Sequence, residues 1–396
     1  MRVLVLSHMY PSTFSEVYGI FVHEQVKALV AKGIEVQVVS PVPWAPFPIN
    51  RMSQKWKAYS EIPAQSVWDG IKVWYPRYLT FPKAWFFAFS GRRMYHGIKD
   101  IVAKIYQEFP FDLLHAHVAL PDGYAAALLA RDYQKPVVVT IHGQDLQSTV
   151  FRGRRCKASL QKALSEARKV IVVSEKLKKL AKDQFEIGKV IVIHNGVPLE
   201  KVLQKDQTLE RRRGNRVVLS VSNLICTKGI DLNIRAVSHL VGKYPDLRYV
   251  VVGDGSLKKS LQRLAHELGL KEKVEFVGRL PHEKVMEYMT NCEIFSLPSW
   301  QEGFGVAYIE AMAHGKPVIA CRGEGSEDFI EHGKTGMLVK PRDVNSLVEA
   351  LDFLLSHPEK AKAMGERARK LVLENFTWEK NAEKTISVYE EVLRGR

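Results

Sequence analysis

Glu302-Gly303-Phe304-Gly305-Val306-Ala307-Tyr308-Ile309-Glu310 runs on through Ala311-Met312-Ala313 to Gly315-Lys316-Pro317-Val318-Ile319-Ala320, and it follows Ile294-Phe295-Ser296-Leu297-Pro298. Ile294 to Leu297 has the apolar character of a short buried strand, and Val318–Ala320 reads as another. Val306 to Ala313 carries helix formers with apolar side chains on a helical period. Gly303 and Gly305 punctuate the passage from strand to helix. Strand, turn, helix, strand is the grammar of a parallel α/β sheet. Glu302 falls in the turn and Glu310 in the second turn of the helix, about 80° away around a helical wheel if both were helical. One carboxylate then points out at the strand end and the other rises beneath it. The N–H groups of Phe304, Gly305 and Val306 lie at a helix start, suited to a phosphate or an array of hydroxyls.

Outward from this run the alternation continues in both directions. Towards the N-terminus the expected strands are Val3–Leu6, Val36–Val39, Asp112–Ala116, Val137–Ile141, Val170–Val173 and Val190–Ile193. Helices are expected over Val22–Ala31, Ala125–Ala130 and Leu160–Ala167. After a fall in apolar content over Leu199–Asn215, where Arg211-Arg212-Arg213-Gly214 marks a linker, a second series begins. Its strands are Val217–Val221, Tyr249–Val252, Val274–Val277, Ile294–Leu297 and Val318–Ala320. Its helices are Leu232–Gly242, Leu257–Leu268, His282–Met289, Val306–Ala313 and Asn345–Ser356, and Trp378–Leu393 reads as a final amphipathic helix. Two doubly wound α/β domains follow, at 1–205 and 206–377, with 378–396 as a closing helix. Between Pro41 and Phe89 the pattern breaks into a Pro- and Trp-rich stretch holding Trp44, Trp56, Trp68, Trp74 and Trp85, with Arg92 and Arg93 beyond. It is either an insertion with its aromatics buried over the sheet or a surface facing an acceptor or a membrane.

A chain of 396 residues, 46% hydrophobic and 26% charged, has the size of two domains and the composition of a globular protein. No apolar run approaches the ~20 residues of a membrane span. Met1-Arg2-Val3-Leu4-Val5-Leu6 passes at once into Ser7-His8-Met9-Tyr10-Pro11, so it reads as a first buried strand and not as a signal peptide. Cys156, Cys226, Cys292 and Cys321 form no C-x-x-C pair, which fits reduced thiols in a cytosolic compartment. The net charge of +15 is uneven: residues 1–200 hold 27 Lys and Arg against 16 Asp and Glu, or +11, leaving +4 for the rest. A basic first half suits an anionic membrane surface or a phosphorylated substrate. Nothing resembling a nucleic-acid recognition helix or stacking sheet accompanies it.

A dinucleotide cofactor is not expected, because no G-x-G-x-x-G follows the first strand and Gly253-Asp254-Gly255 lacks the third glycine. A phosphate site is better supported in Ser220-Val221-Ser222-Asn223-Leu224-Ile225-Cys226-Thr227-Lys228-Gly229, which follows a strand, opens a helix and offers Lys228 as a cation. In the first half, His115 and His117 end one strand and His142, with Gly143 and Asp145, ends another, at the edge where open α/β sheets bind ligands. A metal triad is not expected from them, since no carboxylate ligand accompanies the three at a suitable spacing.

These segments together resemble the retaining nucleotide-sugar glycosyltransferases of glycosyltransferase family 4, over nearly the whole chain. The two glutamates match the family's E-x7-E signature, and Lys228-Gly229 matches its Lys-Gly pair. The resemblance implies a GT-B fold, two facing Rossmann-like domains with a cleft between them and a C-terminal helix crossing back to the first. It implies donor-site roles for Gly19, Asn223, Lys228, Glu302, Gly303, Phe304, Gly305, Val306 and Glu310. His117 would approach the donor sugar, and His142 and Asp145 would lie on the acceptor side. Catalysis would fall to His117, Lys228 and Glu302. Asn223 stands where the family usually has Arg; it hydrogen-bonds a phosphate but supplies no charge and no bidentate fork. Gly19 has Tyr18 beside it where the family often has a second glycine.

The implied reaction moves a hexosyl or N-acetylhexosaminyl group from a UDP- or GDP-linked sugar to a glycan or lipid-linked acceptor of a cell-surface polysaccharide, with retention. No metal and no other cofactor is expected, as no D-x-D motif ends a strand. An epimerase of the same fold and a non-enzymatic carbohydrate- or membrane-binding protein are the competing readings. The implied location is cytoplasmic, at the inner face of the membrane.

Overall fold

The computed structural model describes residues 1–81, 84–199 and 216–395. Its contacts divide the chain into two compact units, Met1–Asn195 with Trp378–Arg396, and Gly196–Thr377. The Arg-rich linker and the boundary expected at 205/206 lie outside the described residues.

The first unit is built on β1 (Arg2–Leu6), β2 (Glu35–Val39), β3 (Val42–Pro43), β4 (Gln65–Trp68), β5 (Ile71–Trp74), β6 (Arg77–Tyr78), β7 (Leu113–His117), β8 (Val137–Ile141), β9 (Lys169–Val172) and β10 (Val190–Val192). Its main sheet runs β10-β9-β8-β7-β1-β2-β5-β4, with β3 and β6 paired apart from it. All neighbours in the main sheet are parallel except β4, which closes the edge antiparallel to β5. The central strands are apolar on both faces: β8 is buried throughout, as are Val3, Leu4 and Val5. This is what a parallel sheet covered by helices on both sides requires.

The helix Trp378–Arg394 belongs to this unit, as expected. Ala382, Val388, Tyr389 and Val392 join the core under β1. Asn381 accepts from Gln25 Nε2 at 2.6 Å and donates to the His194 carbonyl at 2.7 Å. Tyr389 reaches the sheet itself, its hydroxyl 2.6 Å from His115 Nδ1. His115 is thus a core histidine, its Nε2 held 2.7 Å from Thr140 Oγ1.

The second unit carries β11 (Arg216–Val221), β12 (Leu247–Val252), β13 (Val274–Gly278), β14 (Ile294–Ser296), β15 (Val318–Cys321) and β16 (Met337–Val339), in the order β13-β12-β11-β14-β15-β16. Every pair is parallel. The helices alternate with the strands, and Val306–Ala313 has the expected limits. Two parallel α/β units in one chain are the architecture the sequence implied.

Several elements were passed over in the sequence. The stretch from Pro41 to Phe89 is not a mere insertion, because β5 extends the main sheet and β4 completes its edge. Its tryptophans differ in setting: Trp68 and Trp74 are half-buried and donate to Tyr75 Oη and Gln37 Oε1, each at 2.9 Å, whereas Trp44 and Trp85 are exposed. The helix Ser90–Glu108 packs on Met94, Ile98, Val102 and Ile105, and Glu175–Gln184, Pro358–Asn375 and β16 were also unread.

Tyr389→Phe removes a buried hydrogen bond and leaves His115 Nδ1 without its partner. The unfolding free energy is expected to fall by about 1–3 kcal/mol. An unchanged midpoint in urea denaturation would show that the Tyr389–His115 contact does not secure the helix.

Candidate functional site

In the second unit the site grows from the C-terminal ends of β11 and β14. A buried polar cluster locks these ends together. Asn233 is fully buried, donates to the Ser296 carbonyl at 3.0 Å and to Ser220 Oγ at 3.2 Å, and accepts from Ser296 Oγ at 2.7 Å. Ser220 Oγ also lies 2.8 Å from Tyr249 Oη. With each member satisfied, the network fixes where the following loops leave the sheet.

The loop after β11 winds into a short turn, Cys226–Lys228, and the loop after β14 is tied to it, Trp300 N–H donating to the Thr227 carbonyl at 3.0 Å. Lys228 and Glu302, 74 residues apart, thereby meet. Lys228 Nζ lies 2.6 Å from Glu302 Oε2, with 17% and 15% of the two side chains exposed. Glu302 is held from behind by Glu324, whose Oε2 accepts its backbone N–H at 2.6 Å. Asn223, on the same loop as Lys228, is exposed.

Gly305 caps the helix Val306–Ala313 at φ 95°, a conformation L residues rarely adopt. A Cβ there would also meet Tyr308 Cδ2 at 2.4 Å and Glu302 Cγ at 3.3 Å. Glycine is therefore needed both for the turn and for the seat of the glutamate. Gly303 is buried beside it. Phe304 is buried with its ring against Phe329, so its side chain anchors the loop in the core and only its backbone is left to face outward contacts. Val306 opens the helix, half-buried. On that helix Glu310 Oε1 lies 2.8 Å from His282 Nε2, a partner the sequence did not reveal.

In the first unit the strand ends again converge. His117 is fully buried, with Nδ1 3.0 Å from His142 Nε2, the two rings stacked 5.3 Å apart. His142 is partly exposed and lies against Phe21, 4.6 Å between ring centroids. The exposed member of the pair is therefore His142, and His117 sits behind it. Asp145 is not on a surface either. It accepts from Ala119 N–H at 2.8 Å and Leu120 N–H at 3.3 Å, holding the turn that follows β7. Gly19 starts the helix Ile20–Ala31 at φ 72°, where a Cβ would meet the Met9 carbonyl at 2.3 Å, so the helix start lies directly on the loop after β1.

Sequence reasoning missed a second histidine–carboxylate pair on that loop. The fully buried Asp122 accepts His8 N–H at 2.9 Å and lies 2.5 Å from His8 Nδ1. Burial pushes His8 down, but the charge and hydrogen bond of Asp122 outweigh it and its pKa is raised. About a quarter of the His8 side chain stays exposed. The position of His8 at the end of the first strand was the available signal.

Burial lowers His115 and His142 to about 3 and His117 well below its ordinary value. Among the described residues no group of three His, Cys, Asp or Glu is placed to hold a metal ion.

Two parallel α/β units in one chain have the build of the GT-B fold. The model of Glycosyltransferase Family 4 matches residues 19–201 and that of Glycosyl transferases group 1 matches residues 202–371. The chain belongs to this family. The glycosyltransferase TuaC of Bacillus subtilis, assigned to teichuronic acid biosynthesis, is 28% identical over 89% of this chain and 88% of its own. An uncharacterized glycosyltransferase of Methanocaldococcus jannaschii, MJ1178, is 30% identical over 71% of this chain and 76% of its own. Sucrose-phosphate synthase from Thermosynechococcus elongatus has the same fold, with a TM-score of 0.82 and 21% identity over 100% of both chains.

The histidine shifts give a pH dependence of definite sign. An unfolded histidine titrates near 6.5, so the neutral buried forms stabilise the protein fully above ~6.5, and this is lost as the pH falls towards 3. Each contributes a slope of up to about 1.4 kcal/mol per pH unit. Asp145, raised by burial to about 7, acts in the opposite sense, its contribution being lost as the pH rises from the ordinary carboxylate range to 7. His115→Phe is expected to flatten the acid limb in chemical denaturation between pH 4 and 6.5. A slope equal to that of the native chain would contradict the assignment.

Proposed function

We propose that the protein is a retaining transferase that moves a hexosyl or N-acetylhexosaminyl group from a nucleoside diphosphate sugar, UDP- or GDP-linked, to a glycan or lipid-linked acceptor in cell-surface polysaccharide synthesis. The observation that carries this reading is the Lys228–Glu302 pair at 2.6 Å, set beside the helix start at Gly305.

Breaking the bond between sugar and diphosphate builds positive charge at the anomeric carbon and negative charge on the departing phosphate. Lys228 neutralises the phosphate, helped by the positive end of the helix Val306–Ala313. Glu302 accepts hydrogen bonds from sugar hydroxyls, and Glu310 accepts from the ribose diol once its bond to His282 is exchanged. Asn223 adds a neutral hydrogen bond to the diphosphate. With lysine and backbone donors in these roles, the reaction needs no divalent cation and no other cofactor. Retention follows from front-face attack, in which the leaving phosphate takes the proton of the acceptor hydroxyl. His142 contacts the ligand, His117 orients it, and Asp145 fixes the turn beside them. The basic first half suits work at the inner, anionic face of a membrane, and no helix among the described residues is long and apolar enough to cross one.

Calorimetry with UDP, GDP and ADP tests the donor site. One nucleotide is expected to bind selectively, with at least about tenfold weaker binding to Lys228→Ala and to Glu310→Ala. Binding of none of the three by the native chain would overturn the reading, and conversion of a donor sugar to its epimer without acceptor would favour the epimerase.

A further inference from the structure

A second concavity, remote in sequence from the donor residues, lies on the first unit where the helix Ser90–Glu108 crosses β6. It encloses about 360 Å³ and is lined by Trp44, Arg77, Tyr78, Leu79, Arg93 and His96. Two arginines and a histidine thus share one small space with an indole and a leucine, and no carboxylate lines it.

The arginines are the unusual feature. Both are half-buried, and burial lowers the pKa of each. Desolvating a guanidinium without a counter-ion is unfavourable. Neither makes an ion pair among the described residues, and their protein partners are all neutral carbonyls. Arg77 Nη2 donates to the carbonyls of Ile62 and Ser60, while its Nη1 is buried with no hydrogen-bond partner among the described residues. Arg93 donates from Nε to the Leu79 carbonyl at 3.0 Å and from Nη1 to the Phe86 carbonyl at 3.2 Å. These bonds fix the two forks in place but leave their charge unbalanced. A dianionic oxyanion would balance it, with the geometric fit that guanidinium and phosphate share.

The rim says what is attached to that anion. Arg93 lies 4.9 Å from the centroid of the Phe81 ring, which in turn packs against Phe86 at 5.7 Å. Phe86 is 63% exposed and Trp85 62%. Exposed aromatic side chains beside a cationic pocket match a molecule with a phosphate head and an apolar chain.

We infer that this pocket binds the phosphate group of a lipid-linked acceptor, with the apolar chain leaving over Phe81 and Phe86. The inference rests on the transferase reading above and names the acceptor class. It assigns the acceptor's phosphate to Arg77 and Arg93 of the first unit and the donor's diphosphate to Lys228 of the second, so each anion has its own cations. Trp44 closes one wall, and exposed His96 adds a donor at the mouth.

Titration of the full chain with farnesyl phosphate, farnesol and inorganic phosphate tests this. Farnesyl phosphate is expected to bind at least about tenfold tighter than either of the others, because head and chain both contribute. Arg93→Gln is expected to weaken it by about ten- to a hundredfold, the range for a lost charge-assisted hydrogen bond. His96→Gln, an exposed change that leaves the fold intact, is expected to weaken it less. Nucleoside diphosphate binding through Lys228 should be unaltered in both variants, which separates failure of this inference from failure of the donor site. Equal affinity for farnesol, or for inorganic phosphate, would overturn the lipid-phosphate assignment. Native-like farnesyl phosphate affinity in both variants would overturn the pocket.

Discussion

The contact between Lys228 and Glu302 is the constraint around which the second unit is arranged. Two opposite charges, each mostly removed from water, are stable only with their geometry fixed, because desolvation opposes their attraction. The surrounding chain supplies that fixation. Asn233 ties β11 to β14, Trp300 N–H ties the loop of the glutamate to the turn of the lysine, and Glu324 holds the backbone of Glu302. The positive φ of Gly305 then turns the chain directly into the helix that carries Glu310. A cation, two carboxylates and a helix start are thus brought to one strand edge.

In the first unit the same edge of the sheet is organised by buried histidines and aspartates. Asp145 and Asp122 are both deeply buried; one holds the turn after β7 and the other holds His8. His117 likewise stands behind His142. The partly exposed groups, His8 and His142, are each held by a buried partner, which limits the conformations they sample. The C-terminal helix enters this scheme through Tyr389 and His115, so the most distant part of the chain in sequence supports the strand that carries His117.

Much of the architecture was legible because parallel sheets buried on both faces demand continuous apolar runs, as in Val137–Ile141 and Val318–Cys321. The helix Val306–Ala313 was readable to the residue, since two glycines and an apolar helical period bracket it. Elements whose cues conflict were not. Ile71 and Val73 alternate as a strand should, but they lie among prolines and tryptophans that signal a loop. Met94, Ile98, Val102 and Ile105 keep a helical spacing diluted by cations. The types of residue at the site were legible, but their partners were not: Lys228 with Glu302, Glu310 with His282 and His8 with Asp122 are separated by 74, 28 and 114 residues. Such pairings depend on which strands are neighbours, and spacing along the chain carries no record of that. The exposed position of Asn223 and the buried position of His117 have the same origin.

The most direct test of the account is calorimetry and transfer assay of Glu302→Gln with the nucleoside diphosphate that the native chain selects. If Glu302 holds Lys228 until a diphosphate replaces it and then turns to the sugar, the variant binds the free nucleotide as tightly as the native chain or more tightly, and transfers no sugar. A variant that loses nucleotide affinity, or keeps full transfer, would show that the pair is a structural ion pair and that the donor is bound elsewhere.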